Sequence, residues 1–490
     1  MPQATVNQMT RFLARVIGPV RPAYLPVLIT YFAYGASSIA SVGLLYLQKD
    51  TLGITPAEAA HIGFWIGLPW SMKMVVGVSS DRYPIFGNRR VPYLLLGTFL
   101  SFGGYAALAT VVSTKAAYLA ATVIIAVGFM VQDVVADALS VEIAESDEDV
   151  AQIQTLGRMA LLTGTISVGY LSGVLTHWIG PRGVCAVAAA LPVLVAVAAL
   201  FVRIKREVES PPTEGPLGGH NASMIMLVGL AYAAVSVALE AFAVPYGQEI
   251  ILIVSAVLIG LLLWQVGVTR AVVLAALVIF LFRVTPGAGQ GYSYWAIDQL
   301  GFDERFLGVL AQVSSVLSLV GLVVFRKPIT HRPVSFTLLW VIVAATILYL
   351  PSIGLFYGLH TWLGVSARTL ALIDTTISAP LGQLTMVPML ILIARTAPRG
   401  AEATMFAIMA SLMNLALSAS ELCTRYLNTV YAVTQEDYSN LGRLMITVLV
   451  IGLVPLLALP VLRRAEVNLH REAPRVVPAT PARGAEVDEV

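Results

Sequence analysis

Charge is what this 490-residue chain has least of: Asp, Glu, Lys and Arg make up 12% of it, against 58% apolar residues. An ordinary soluble domain carries roughly 25% charged residues, so these few could not cover a water-facing surface. Cysteine is almost missing too, with two in the whole chain. Cys185 and Cys423 lie far apart in apolar sequence, where a small buried hydrophobe explains each better than a disulfide or a metal site. They leave the redox compartment open. There is no Gly-x-x-x-x-Gly-Lys-Ser/Thr loop, no His-Glu-x-x-His and no Gly-x-Ser-x-Gly, so the familiar signatures of nucleotide-driven pumps and soluble hydrolases are absent. The chain is expected to be no enzyme, to need no cofactor or metal, and to draw on a gradient. Its net charge of +2 is scattered and forms no basic stripe, which argues against a nucleic-acid partner.

What the chain has instead is apolar runs of about 20 residues, enough to cross a hydrocarbon layer of ~30 Å. They read as about 14 spans, at 24–47, 58–79, 92–112, 116–141, 155–178, 183–203, 223–243, 249–269, 271–296, 306–325, 334–357, 367–394, 402–428 and 441–462. In lipid each backbone must satisfy its own hydrogen bonds, so an all-α polytopic membrane protein is expected. Arg11, Arg15 and Arg21 precede the first run without a small-residue cleavage site, and that run reads as a retained span. Placing both termini in the cytoplasm leaves only Lys49, Lys115, Arg182, Arg305, Arg368 and Arg443 outside, which the positive-inside rule favours.

Two blocks of six spans suggest a duplicated unit in parallel topology: a first half at 1–203 and a second at 270–464. Between them lie a linker at 204–222, rich in Pro, Gly and charge, and an extra two-span hairpin at 223–269 around Pro245-Tyr246-Gly247. A tail at 465–490 reads as disordered.

Ionisable residues inside spans are costly and mark candidate sites. Arg283 falls almost at the midplane of its run, and Pro286, Gly287, Gly289 and Gly291 break the helix beyond it. It needs an anion, either a buried carboxylate or the substrate; the competing account is a static bridge to Asp374 or Asn414 that holds two second-half helices together. The break is expected to free backbone donors for that anion. Lys73 could snorkel to the interface or serve the same site. Asp133 and Asp137 stand four residues apart on one helix face, where like charges repel, so one should hold a proton or meet a cation such as Lys73 or Arg158. A purely structural ion pair accounts for them equally. Asp374 stands alone in an uncharged stretch, Asn414 lies at midplane, and Glu421 with Arg425 has the spacing of a structural bridge. Tyr31, Tyr34, Trp65, Trp70, Tyr292, Tyr294 and Trp295 offer faces for a flat ring, or plain packing.

Four spaced motifs carry a resemblance. Gly77-Val-Ser-Ser-Asp81-Arg82, four inserted residues, then Gly87-Asn-Arg89-Arg90 is similar to the cytoplasmic loop of the major facilitator superfamily. Ala136-Asp137-Ala138-Leu139 with Glu142, Leu300-Gly301-Phe302 with Phe306-Leu307-Gly308, and Pro398-x-Gly400-x-Glu402-Ala403-Thr404 with Ser411 and Asn414 narrow it. The chain resembles the folate-biopterin transporter family. That resemblance implies a major facilitator fold of two six-helix halves and proton-linked transport of a small organic anion of the folate or pterin class. It also implies a lipid-embedded monomer, here expected in a bacterial inner membrane. By motif position it gives functional weight to Lys73, Asp81, Asp137, Glu142 and Glu402. Substrate binding is expected at Arg283, Lys73, Asp374 and Asn414, proton coupling at Asp137 and Asp133, and gating at Asp81, Arg82, Arg89, Arg90, Glu142 and Glu402. Two departures stand out: Met74 follows Lys73 where the family has proline, and the hairpin is extra. Another organic anion, or a non-transporting membrane assembly factor of the same superfamily, remains an alternative.

Overall fold

The computed structural model describes residues 21–201, 219–266, 269–330, 332–382, 389, 392–393, 402–460 and 462–463. Most of the 204–222 linker, the 465–490 tail and the Pro398-x-Gly400 motif lie outside the described residues, as do the side chains of Arg326, Lys327 and Glu402. Among the described residues every regular element is a helix, apart from a bridge between Ile85 and Asn88 that closes a turn.

The first half comprises α1 (Pro22–Thr51), α2 (Pro56–Arg82), α3 (Val91–Thr110), α4 (Lys115–Glu142), α5 (147–179) and α6 (181–201). Helix starts follow local chemistry: Thr55 and Glu58 form a reciprocal capping box on α2, and Thr114 caps α4 by accepting from Ala117 N. α5 and α6 run on with one non-helical residue, Gly180 (φ 74°, ψ 170°). The chain reverses there. Arg182 donates to the carbonyls of Thr110 and Val112 at one end of α3, while Val195 and Ala199 pack with Tyr93 and Leu94 at the other.

The hairpin follows as α7 (Gly219–Ala241) and α8 (Gly247–Val266). The second half comprises α9 (Arg270–Arg283), α10 (Gln290–Leu300), α11 (Glu304–Thr330), α12 (Val334–Phe356), the short α13 (Leu359–Trp362), α14 (Ala367–Gly382), α15 (Glu402–Val430) and α16 (Leu441–Ile451). Among the described residues 11 helices are long and apolar enough to cross a membrane, counting α5 and α6 together. The chain is a multi-pass integral membrane protein. The run expected as one span at 271–296 is two helices separated by residues 284–289, and the run expected at 367–394 is described as helix only to Gly382.

The halves meet along two seams. α5 crosses α11 so closely that a Cβ on Gly173 would lie 2.1 Å from the Glu304 carbonyl oxygen, and one on Gly308 2.9 Å from Gly173 Cα. Only small residues allow that approach between membrane helices. α2 runs along α15 with Gly67 beside the Ser418 hydroxyl and Gly63 beside the Glu421 carboxylate. The hairpin lies over this second seam: Tyr232, Ile251 and Ile259 share one core with Phe64 and Trp65 of α2 and Met409 and Met413 of α15. His61 pairs with Glu240 at 2.9 Å, and Arg425 donates to Gln248 Oε1 at 2.9 Å. Arg425 therefore serves the hairpin. The bridge expected between Glu421 and Arg425 does not form, because that guanidinium has turned to another helix.

Candidate functional site

α2 is disturbed at its middle. Pro69 cannot donate to the ladder, and Met72 leaves the helical region (φ −115°, ψ 22°) before the helix resumes at Lys73. The kink exposes the Trp70 carbonyl, which Asn414 of α15 takes at 3.1 Å. Asn414 is thereby engaged in joining the halves. Beyond the kink Lys73 forms a close ion pair with Asp133 of α4, and its ammonium sits 4.8 Å above the Trp70 ring. Trp70 in turn stacks on Tyr34 of α1 at 5.5 Å. Lys73 is held inside the half rather than snorkelling out.

One helical turn on, Asp137 accepts a close hydrogen bond from Tyr31 Oη. Gln154 donates to Ser140 Oγ at 2.7 Å and reaches Asp137 Oδ1 at 3.5 Å. The two aspartates are thus treated differently. Asp133 has a cation; Asp137 has, among the described residues, only neutral donors.

In the second half Arg283 ends α9, half-buried, with its Nε enclosed and without a hydrogen-bond partner. Among the described residues no carboxylate pairs with it. The static bridge to Asp374 or Asn414 is not what the structure shows: Asp374 accepts from Ser352 Oγ at 2.7 Å, and Asn414 holds Trp70. The break at 284–289 is also less open than expected. α15 satisfies it, with Thr424 Oγ1 accepting from Gly287 N at 3.1 Å, Ser420 donating to the Thr285 carbonyl at 2.7 Å, and Asn428 to that of Ala288 at 3.3 Å. The Gly287 N–H is therefore not free for a ligand. Gly289, at φ 62° and ψ −152°, turns the chain into α10 through a conformation suited to glycine.

Two of the gating candidates, Asp81 and Glu142, gather around Arg90. It is 7% exposed and donates from Nη2 to Asp81 Oδ1 at 2.7 Å, from Nε to Glu142 Oε1 at 2.8 Å and from Nη1 to Ser80 Oγ at 2.9 Å. One guanidinium thus ties the end of α2 to the ends of α3 and α4. Phe86 (φ 52°) and Gly87 (φ 71°) shape the inserted turn that presents it. Arg82 is exposed and Arg89 half-buried beside this cluster, and Glu402 begins α15 with its side chain outside the described residues.

A second cluster escaped the sequence reading. At the opposite end of the bundle Lys49 of α1, 9% exposed, pairs with Asp298 of α10 at 2.6 Å, and Tyr438 donates to Asp298 Oδ2 at 2.6 Å. Nearby, Tyr46 donates to the Phe302 carbonyl at 3.3 Å and Gln435 to that of Ile54 at 2.9 Å. Lys49 had counted only as a loop charge. Nothing in linear spacing joins it to a residue 249 positions away.

The profile of the BT1 family matches residues 35–476. A protein of Synechocystis sp. named folate-biopterin transporter is 30% identical over 441 residues, which is 88% of this chain and 80% of that protein. Folate transporter 1 of Plasmodium falciparum is 22% identical over 438 residues, covering 87% and 77%. Among solved structures, a POT family transporter in complex with 5-aminolevulinic acid superposes with a TM-score of 0.66 at 15% identity, over 93% of this chain and 96% of that one. That last similarity speaks for the fold.

Proposed function

The chain belongs to the BT1 family, and from that premise we propose that it is a secondary transporter of folate- or pterin-like organic anions, coupled to protons and working by alternating access. Relatives named for folate and biopterin transport support the substrate class. The halves at 1–203 and 270–464 rock about the two seams, with the termini and the 204–222 linker cytoplasmic, in the inner membrane of a bacterium. No enzymatic step is involved. The observation that carries the reading is a pair of ionisable sites within the spans: a lysine-aspartate-tyrosine cluster in the first half, and in the second an arginine that no carboxylate among the described residues neutralises. A scaffold that moved nothing would have no use for either at such cost.

The test is uptake of radiolabelled folate and pterin into a strain lacking its own transporters, with a cysteine at Gly247 labelled only from outside as the check on orientation. Uptake of neither, at normal membrane levels of protein, would return the chain to the assembly-factor alternative.

The Arg90 cluster is the cytoplasmic latch of this cycle, supported by its match to the superfamily loop. Asp81 is 61% exposed, so its pair with Arg90 contributes little in a static sense. Asp81→Asn is expected to slow turnover roughly two- to fivefold, the range of an exposed ion pair, with affinity nearly unchanged. Turnover equal to wild type would leave the loop as a topology marker.

A further inference from the structure

A cavity of about 270 Å³ opens between α12 and α14, lined by Tyr349, Ser352, Asp374 and Ser378 among aliphatic side chains. Two of its polar groups are enclosed and without a hydrogen-bond partner: Asp374 Oδ1 and the Tyr349 hydroxyl. Ser352 holds the other carboxylate oxygen at 2.7 Å, which fixes the orientation of the acceptor. Tyr292 of α10 stands beside Ser352 and Asp374, and its ring lies 5.6 Å from that of Trp295, which in turn lies 5.1 Å from Phe356.

The depth of this cavity follows from one bond. Arg368 Nη2 donates to the Gly301 carbonyl at 2.8 Å, so the end of α10 and the start of α14 are level. At about 1.5 Å per residue, Asp374 and Tyr292 then lie at a similar depth, on the order of 10 Å in. Arg283 precedes α10 by the 284–289 break.

We infer that this cavity seats the pterin head of the substrate, with Asp374 accepting the paired N–H groups of its 2-amino-pyrimidinone edge while the glutamate tail reaches toward Arg283. The inference rests on the transport reading above. Drug-sized ligands occupy roughly 300–1,000 Å³, so this space takes one bicyclic ring and not a whole folate. A carboxylate accepts only, through about four lone-pair sites, and here one oxygen is spent on Ser352 and the other on nothing. Its natural complement is a ligand edge bearing two adjacent donors. The Tyr349 hydroxyl adds a donor for the ring carbonyl, and the Tyr349 ring with Leu348 and Leu381 supplies the apolar wall. A tail carboxylate, by contrast, would be repelled by Asp374 and drawn to Arg283.

The experiment is equilibrium binding to the purified full-length protein in nanodiscs, using folate, 6-hydroxymethylpterin and p-aminobenzoylglutamate as whole, head and tail. Asp374→Asn keeps the shape but presents a donor to donors. It is expected to weaken folate and 6-hydroxymethylpterin by about tenfold or more and to leave p-aminobenzoylglutamate unchanged. Ser352→Ala, which only frees the carboxylate to rotate, is expected to give the same ranking with a smaller loss. Equal loss for all three ligands, no loss for any, or wild-type protein that binds the tail but not the head would each overturn the inference while the transport reading stands. A shared shift in the pH profile of uptake with binding ratios unchanged would assign Asp374 to protons and overturn it as well. Wild-type protein that binds none of the three overturns the transport reading, and this inference with it.

Discussion

Replacing Asp137 by asparagine is expected to abolish accumulation of substrate against its gradient while exchange of internal for external substrate survives. Asp133 and Asp137 sit one turn apart on α4, and two carboxylates at that spacing in low dielectric cannot both stay charged without help. Lys73 gives that help to Asp133. Asp137 is left with the Tyr31 hydroxyl and the Gln154 amide, neutral groups that can bond to it in either protonation state. It is therefore the carboxyl free to take up and release a proton without breaking an ion pair. One proton moved down a gradient of one pH unit carries about 1.4 kcal/mol, or about tenfold in accumulation, and Asp137→Asn should lose all of it. Counterflow in proteoliposomes at symmetric pH reads exchange; uptake under an imposed pH gradient reads coupling. Tyr31→Phe should keep coupling but shift its pH profile, because the carboxyl loses a donor and not its proton. An Asp137→Asn protein that still concentrates substrate in response to the pH gradient would move the coupling site elsewhere, with Asp374 next to be tested.

How far the sequence could be read depended on the range of the interaction. Spans came from local composition. The pairing of Lys73 with Asp133 was among the options because both belong to one half and carry opposite charge. What spacing could not supply was the partner of a side chain that faces another half. Asn414 looked like a ligand-binding amide and instead closes a kink in α2. Arg425 looked like the partner of Glu421 and instead reaches the hairpin. Lys49 looked like a loop charge and is enclosed with Asp298 and Tyr438. In each case a polar group made available by one helix is used by another that is distant in sequence, and no periodicity encodes that meeting. The break after Arg283 was legible from its proline and glycines, but not the three α15 side chains that close it, one accepting from a backbone N–H and two donating to backbone carbonyls, because α15 is distant in sequence.

Those three side chains sharpen what is expected of Arg283. With the Gly287 N–H already bound, the loop offers the anion less than its sequence suggested, and the guanidinium must do more of the work. A folate tail carries two carboxylates, and a planar fork with paired donors suits one of them in a way that an ammonium does not. Arg283→Lys keeps the charge and loses the fork. It is expected to weaken folate binding by roughly 1–3 kcal/mol, while a pterin without the glutamate tail binds nearly as before. Titration of the two ligands against wild type and variant in the same membranes measures the difference directly. Asp374→Asn is expected instead to weaken both of these ligands and to spare p-aminobenzoylglutamate, so the two substitutions together separate head from tail on one protein. Equal loss for both ligands in Arg283→Lys, or a fall in folded protein in the membrane, would mean that the guanidinium holds helices and that the anion binds elsewhere.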